Sequence, residues 1–310
     1  RETVHRYIIL EKGGLLNEKI NPVIIEKGKI KFEGGKTWVS DQVRLNKDIF
    51  RLFGYYLSEG CVSKLKNRPN SLILSFTFNQ KEKKYIKDVT RIIEKNFYIK
   101  VNKHINKANH TCQITAGNSL LAKVFKNLFG SSCYDKAVPE FILKACPEYQ
   151  TELVKGLFWG DAHYRKRGER EEYILSTVSN SLAPQVVMML LRLGAIPSVR
   201  VSKLGKKMTK IQNIISLSAV DIINVFSKKR NKKKSLVIYK KGFIVNDYAY
   251  LPIYKIKKEK FNGVVYNLSI AEDKSYTVNF AGVSNCSWTT LFPCQNYRRQ
   301  SASKVLDEIG

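Results

Sequence analysis

Apolar residues recur at helical spacing along much of the chain. Tyr85, Ile86, Val89, Ile92 and Ile93 mark one amphipathic helix, and Val186, Val187, Leu190 and Leu191 mark another, each with a stripe to bury. "LFGYYLSEG" (52–60) and "VKGLFWGDA" (154–162) predict two further helices that are nearly all apolar until each stops on an acid, Glu59 or Asp161. "LILSFTF" (72–78) and "YILSTVS" (173–179) are β-rich, and "CQITAG" and "NIISLS" predict later strands that each lead into a further helix.

These elements repeat in order. Gly54 matches Gly156 and Glu59 matches Asp161, both at an offset of 102, while Leu74 matches Leu175 at 101. The stretch 112–130 resembles 212–229, so an internal duplication organises the middle of the chain. Pro139 and Pro147 punctuate the link between the copies, and "SKKRNKKKS" (227–235) is a basic loop closing the second. Residues 1 to about 45 are strand-like and glycine-punctuated. Residues 262–285 alternate apolar and polar positions around a turn at "EDKS", as in a hairpin. The tail from Ser287 is too short for a domain.

Composition narrows the partners. Of 310 residues, 54 are Lys or Arg against 26 Asp or Glu, a net charge of +28 that suits a polyanion such as DNA. Hydrophobic residues make up 44%, enough for a large core, yet no run of about 18 apolar residues predicts a membrane span. The N-terminus lacks the layout of a signal peptide and lacks an initiator Met, as a fragment or processed piece would. Six scattered cysteines without a CxxC pair predict neither a disulfide scaffold nor a zinc site, and a cytoplasmic setting is the expectation.

The duplicated acid carries the chemistry. A carboxylate at a helix C-terminus opposes the macrodipole. The same unfavourable choice made twice favours function over solvated helix-end acids. If the two helices pack along their apolar faces, with Gly54 and Gly156 allowing close approach, Glu59 and Asp161 meet near a pseudo-twofold axis. Two such carboxylates suit Mg²⁺, which takes one or two carboxylates plus phosphate and water and supports phosphodiester hydrolysis.

"LFGYYLSEG" and "VKGLFWGDA" resemble the two motifs of single-chain LAGLIDADG homing endonucleases, and the resemblance covers roughly residues 46–235. It implies an α+β fold with two αββαββα units, at 46–147 and 148–240, whose antiparallel sheets lie over the DNA major groove. It also implies a monomer acting on double-stranded DNA, with divalent metal at Glu59 and Asp161 and one strand cut per acid. Ala162 stands where the family usually has Gly, a departure expected to affect the backbone at the second site. The family often places a lysine near the metals, for which Lys203, Lys206, Lys207 and Lys210 are candidates. Asn79, Gln80, Gln113, Arg200 and Gln212, with Lys203 and Lys207, are the expected DNA contacts.

"VVYNLSIAEDKSYTVNFAGVSNC" resembles the C-terminal splicing blocks of inteins. The resemblance implies a partial all-β (Hint) splicing domain built from both chain ends, 1–45 and 241–285. Asn285 is then the cyclising residue and Cys286 the first residue of a downstream host flank, 286–310, through which the chain is joined covalently to its host protein. Asn267, Lys274 and Ser284 stand where the family usually has Asp, His and His, each change removing a general acid/base or polarising group. "ETVHRYIIL" resembles the tail of a TxxH block, with His5 as its histidine and Thr3 one residue too close. The expected function is therefore a site-specific, Mg²⁺-dependent DNA endonuclease attached to a truncated splicing domain. A decayed insertion, or a maturase-like binding protein that does not cut, is the alternative.

Overall fold

The computed structural model describes residues 7–9, 23–65, 68–202, 210–226, 243–245, 248–253, 255–258, 260, 262–264, 275–278 and 281–284. The chain divides into two compact bodies, Arg1–Pro252 and Ile253–Gly310. The first opens with short strands: β1 (Tyr7–Ile9), β2 (Val23–Glu26), β3 (Lys29–Phe32), β4 (Val39–Ser40) and β5 (Gln42–Arg44). β1 pairs with β5, while β2, β3 and β4 form an antiparallel sheet. Ile30, Val39, Val43 and Leu45 bury their side chains in the main core.

The first repeat follows as α1 (Lys47–Glu59), β6 (Gly60–Leu65), β7 (Arg68–Asn79), α2 (Lys83–Phe97), β8 (Val101–Asn106), β9 (Thr111–Ala116) and α3 (Ser119–Phe129). A short helix α4 (Glu140–Leu143), opened by Pro139, bridges to the second repeat. That repeat comprises α5 (Pro147–Asp161), β10 (His163–Arg167), β11 (Arg170–Thr177), α6 (Leu182–Arg192), β12 (Ser198–Val201), β13 (Asn213–Ser218) and α7 (Ala219–Phe226). The sheets have the same order, β6-β7-β9-β8 and β10-β11-β13-β12, and every pairing is antiparallel. Both copies are thus αββαββα, the order that the family resemblance implies. β14 (Phe243–Val245) and β15 (Tyr248–Tyr250) pair beyond them.

Local chemistry sets the element ends. The Asn46 side chain accepts from Ile49 N at 3.0 Å to cap α1, Asn118 does the same for α3 through Leu121 N at 2.9 Å, and Pro147 opens α5. In β9, Cys112, Ile114 and Ala116 are buried while Gln113 is exposed, the period-two alternation of a sheet with one wet face. Phe50, Phe53, Tyr55 and Tyr56 on α1 meet Phe76, Phe78, Phe125 and Phe129 in one aromatic core.

The two acid-bearing helices cross at their glycines. A Cβ on Gly54 would lie 2.0 Å from the Leu153 carbonyl oxygen, and one on Gly156 would lie 2.2 Å from that of Arg51. Backbones this close admit no side chain at either position. Near the start of α1 a charge network locks the crossing. Arg51 pairs with Asp48, Asp88 and Glu152, Arg91 pairs with Asp48 and Asp88, and Lys155 pairs with Glu152. Arg51 and Glu152 keep only 15% and 12% of their side-chain surface.

In the second body, β16 (Ser275–Val278) and β17 (Ala281–Ser284) form an antiparallel hairpin with Val278 opposite Ala281. Ser275, the last residue of the expected "EDKS" turn, opens β16, and the rest of that turn lies outside the described residues.

Candidate active site

α1 runs apolar to its last residue, Glu59, and the backbone passes straight into β6 through Gly60. α5 likewise ends on Asp161, and Ala162 leads to β10. The helix crossing brings the two ends together: a Cβ on Gly160, next to Asp161, would lie 3.1 Å from Glu59 Cγ and 2.0 Å from Ser58 Oγ. Glu59 is half-buried and Asp161 keeps an open side to solvent. Burial along α1 thus delivers its terminal carboxylate to the end of α5.

The electrostatics of this end are strained. Burial pushes the Glu59 carboxyl up to about 8, and the neighbouring Asp161 and Glu82 carboxylates raise it further while Lys136 opposes them. Burial also raises Asp161, again opposed by Lys136. Lys136 is only 7% exposed. Burial lowers its pKa, and the charges of Asp161 and Glu59 favour its charged form. Its Nζ donates to the Ser58 carbonyl at 3.0 Å and lies 5.7 Å from the centre of the Tyr56 ring.

Lys136 lies between the repeats, in the link after α3. The hydroxyl of buried Ser179 donates to the Lys136 carbonyl at 2.6 Å, and Ala137 N donates to the Phe129 carbonyl at 3.1 Å. The Gln185 amide clamps Val138 from both sides, accepting from its N at 2.7 Å and donating to its carbonyl at 2.9 Å. Both repeats therefore hold the lysine in place. The candidate lysines of the second repeat are not among the residues placed at this end. Lys203, Lys206 and Lys207 lie outside the described residues, and Lys210 sits 3.8 Å over the Tyr134 ring. No periodicity marks Lys136; its one signal in the sequence is a lysine set beside Pro139 in the link.

Two carboxyl groups facing one lysine offer the hard oxygen donors that could hold a divalent cation. Among the described residues, no group of three or more His, Cys, Asp and Glu gathers as a fuller protein cage. The donor set therefore fits a cation that completes its shell with water and phosphate. The Gly-to-Ala departure leaves the backbone nearly unchanged, with φ −86° and ψ 146° at Gly60 against φ −80° and ψ 127° at Ala162. At Gly60 a Cβ would lie 2.3 Å from the Tyr56 ring, whereas Phe158 occupies the matching position beneath Ala162.

The expected DNA contacts divide. Gln113 is exposed on the face of the first sheet away from the helices, in a row with Thr77 and His104. Asn79 lies on the same face, but its Oδ1 accepts from Lys81 N at 3.0 Å and so ties up a turn. Gln80 leaves the strand and pairs its amide with the His110 ring at 2.9 Å. Arg200 is exposed on β12 and lines a recess on the second sheet. Gln212 closes the β12–β13 pairing, its N donating to Ser202 Oγ at 2.8 Å and its carbonyl accepting from Ser202 N at 2.8 Å. Lys203, Lys207, His5, Asn285 and Cys286 lie outside the described residues. Among the described residues, no helix is long and apolar enough to cross a membrane.

Residues 148–236 match the LAGLIDADG-like domain family. The chain is similar to two uncharacterized proteins of Methanocaldococcus jannaschii. One is 31% identical over 81% of this chain and 29% of that protein. The other is 26% identical over 85% of this chain and 33% of that protein. A DNA polymerase of Thermococcus litoralis is 24% identical over 77% of this chain and 15% of its own length. The chain thus spans a third or less of the length of these curated relatives. Among solved structures it resembles I-DmoI in complex with DNA and Mn, with TM-score 0.44, 16% identity, and coverage of 59% of this chain and 98% of that one. The match falls on the second repeat, and the first repeat has the same αββαββα order strand for strand.

Proposed function

We propose that the chain is a site-specific endonuclease that hydrolyses phosphodiester bonds of double-stranded DNA. The observation that carries this reading is the meeting of Glu59 and Asp161 at the ends of crossed helices, with buried Lys136 beside both. Glu59 and Asp161 would hold the divalent cation, Mg²⁺ in this reading. That cation would lower the pKa of water and offset phosphate charge. The carboxylates fix the position of the centre, because both ride on helices that glycine contacts hold in one register. Lys136, anchored through the Ser58 carbonyl, would set its ammonium where negative charge grows on the phosphate. In the reaction water adds to phosphorus and a P–O bond breaks. The net charge of +28 supports a polyanionic substrate.

The same reading sets the nuclease within a protein-splicing element joined covalently to a host protein, the whole acting as a monomer on its target. The match to a minor part of a DNA polymerase supports an insertion of this kind, as does the resemblance of residues 264–286 to splicing blocks. There the Asn285 side-chain nitrogen would attack its own carbonyl carbon, closing a ring and releasing the Cys286 amine.

Sequencing the DNA ends left on a genomic library incubated with the chain and Mg²⁺ tests the nuclease reading. Ends recurring at one sequence, absent with EDTA, are expected. A library left intact with Mg²⁺ would overturn it.

A further inference from the structure

The repeats share a topology, but their exposed sheet faces differ in chemistry. On the first sheet, strand register places Asn102, Thr115, Ser75 and Cys61 in one row away from the helices, and His104, Gln113 and Thr77 in the next. These rows hold amides, hydroxyls, a thiol and an imidazole, with no lysine or arginine. Lys64 and Lys103 fall opposite Leu72 and buried Ile114, so they belong to the helix side of the sheet.

The second sheet presents arginines on the equivalent face. Arg165 stands opposite Glu172, and Arg200 pairs with the Ile214 position in the row that includes Ser176. Arg165, Arg167 and Arg200 line one recess of about 220 Å³ with Glu172, Ser198 and Ser216. Arg165 is neutralised there, its Nε 3.0 Å from Glu172 Oε1. Among the described residues, Arg167 and Arg200 form no ion pair. Arg167 and Arg200 thus converge on one recess of the exposed face.

Resting on the nuclease reading above, we infer that the two repeats read chemically different half-sites. The second reads guanine through Arg167 and Arg200, and the first reads an A·T-rich half through Gln113 and Asn102. Arginine matches the O6 and N7 acceptors of guanine, and an Asn or Gln amide matches the N6 donor and N7 acceptor of adenine. Glu172 holds Arg165 back from a third guanine contact. The target is then asymmetric in composition although the protein is duplicated.

The test is selection from a randomised double-stranded DNA library by the full chain carrying Glu59→Gln, which binds without cutting. Enriched duplexes should carry guanines in one half and A·T pairs in the other. Arg200→Gln should lower the guanine preference at one position roughly tenfold or more and leave the other half unchanged. Glu172→Gln, which retains the fold's volume and frees Arg165, should add a guanine preference in the same half as Arg200. Guanines spread equally over both halves, or an unchanged profile in both variants, would overturn the inference while leaving the nuclease reading in place. Absence of any enriched sequence would overturn both.

Discussion

Gly54 and Gly156 touch back to back, so that a Cβ on Gly54 would lie 2.9 Å from the Gly156 Cα and 2.0 Å from the Leu153 carbonyl oxygen. The obstacles are backbone atoms, which cannot swing aside. Gly54→Ala or Gly156→Ala should therefore cost roughly 3 kcal/mol or more by overpacking, and should separate the acids and abolish cleavage. Gly117→Ala meets nothing within 4 Å and serves as the neutral control. Thermal unfolding of the three variants checks the contrast.

Lys136→Met should leave DNA affinity within about twofold and slow cleavage by roughly 10²–10³, the usual cost of losing one preorganised charge at a reacting centre. Single-turnover cleavage beside equilibrium binding separates the two effects. A parallel loss of both would assign Lys136 to binding.

Glu59 imposes a pH dependence on stability. Its carboxyl has an ordinary value of 4.5 and is pushed up to about 8 in the fold, so between those values the folded state retains a proton that the unfolded chain releases. Metal-free stability should fall as pH rises through that window and level off above it, and raised Asp161 contributes with the same sign. Glu59→Gln should flatten the slope and stabilise the chain by about 1–2 kcal/mol at pH 8 while ending cleavage. Denaturant titrations between pH 5 and 9 read the difference.

The Arg51 network has the opposite sign. Arg91 and Arg51 hold Asp48 and Asp88 below the usual carboxylate range. The stability they contribute is complete above that range and is lost as pH falls through their folded values. Asp88→Asn should flatten this acid limb, and Glu152→Gln, which leaves buried Arg51 short of a partner, should cost roughly 3 kcal/mol. Acid titration of the folded state checks both.

The repeat and its acids were legible because helical and strand periodicities record which faces are buried, and because duplication writes the same pattern twice. Segments such as "LILSFTF" and "CQITAG" mark the inner strands β7 and β9, while the outer strands β6 and β8, with exposed edges and a weaker apolar pattern, came only with the family resemblance. Lys136 was not legible: its burial comes from contacts with both repeats, made by Ser58 and Ser179, and a link segment has no period to read. The partners of Asn79 and Gln80 were not legible either, since Lys81 N and the His110 ring reach their side chains only through the turn and the β7–β9 pairing.

The most direct test of the central claim is strand-resolved cleavage of the selected target in Mg²⁺ by the wild-type chain, Glu59→Gln and Asp161→Asn. If the two acids are halves of one nuclease centre, the wild type makes a double-strand break and each single variant loses it. Double-strand cleavage at the wild-type rate by either variant would contradict the account.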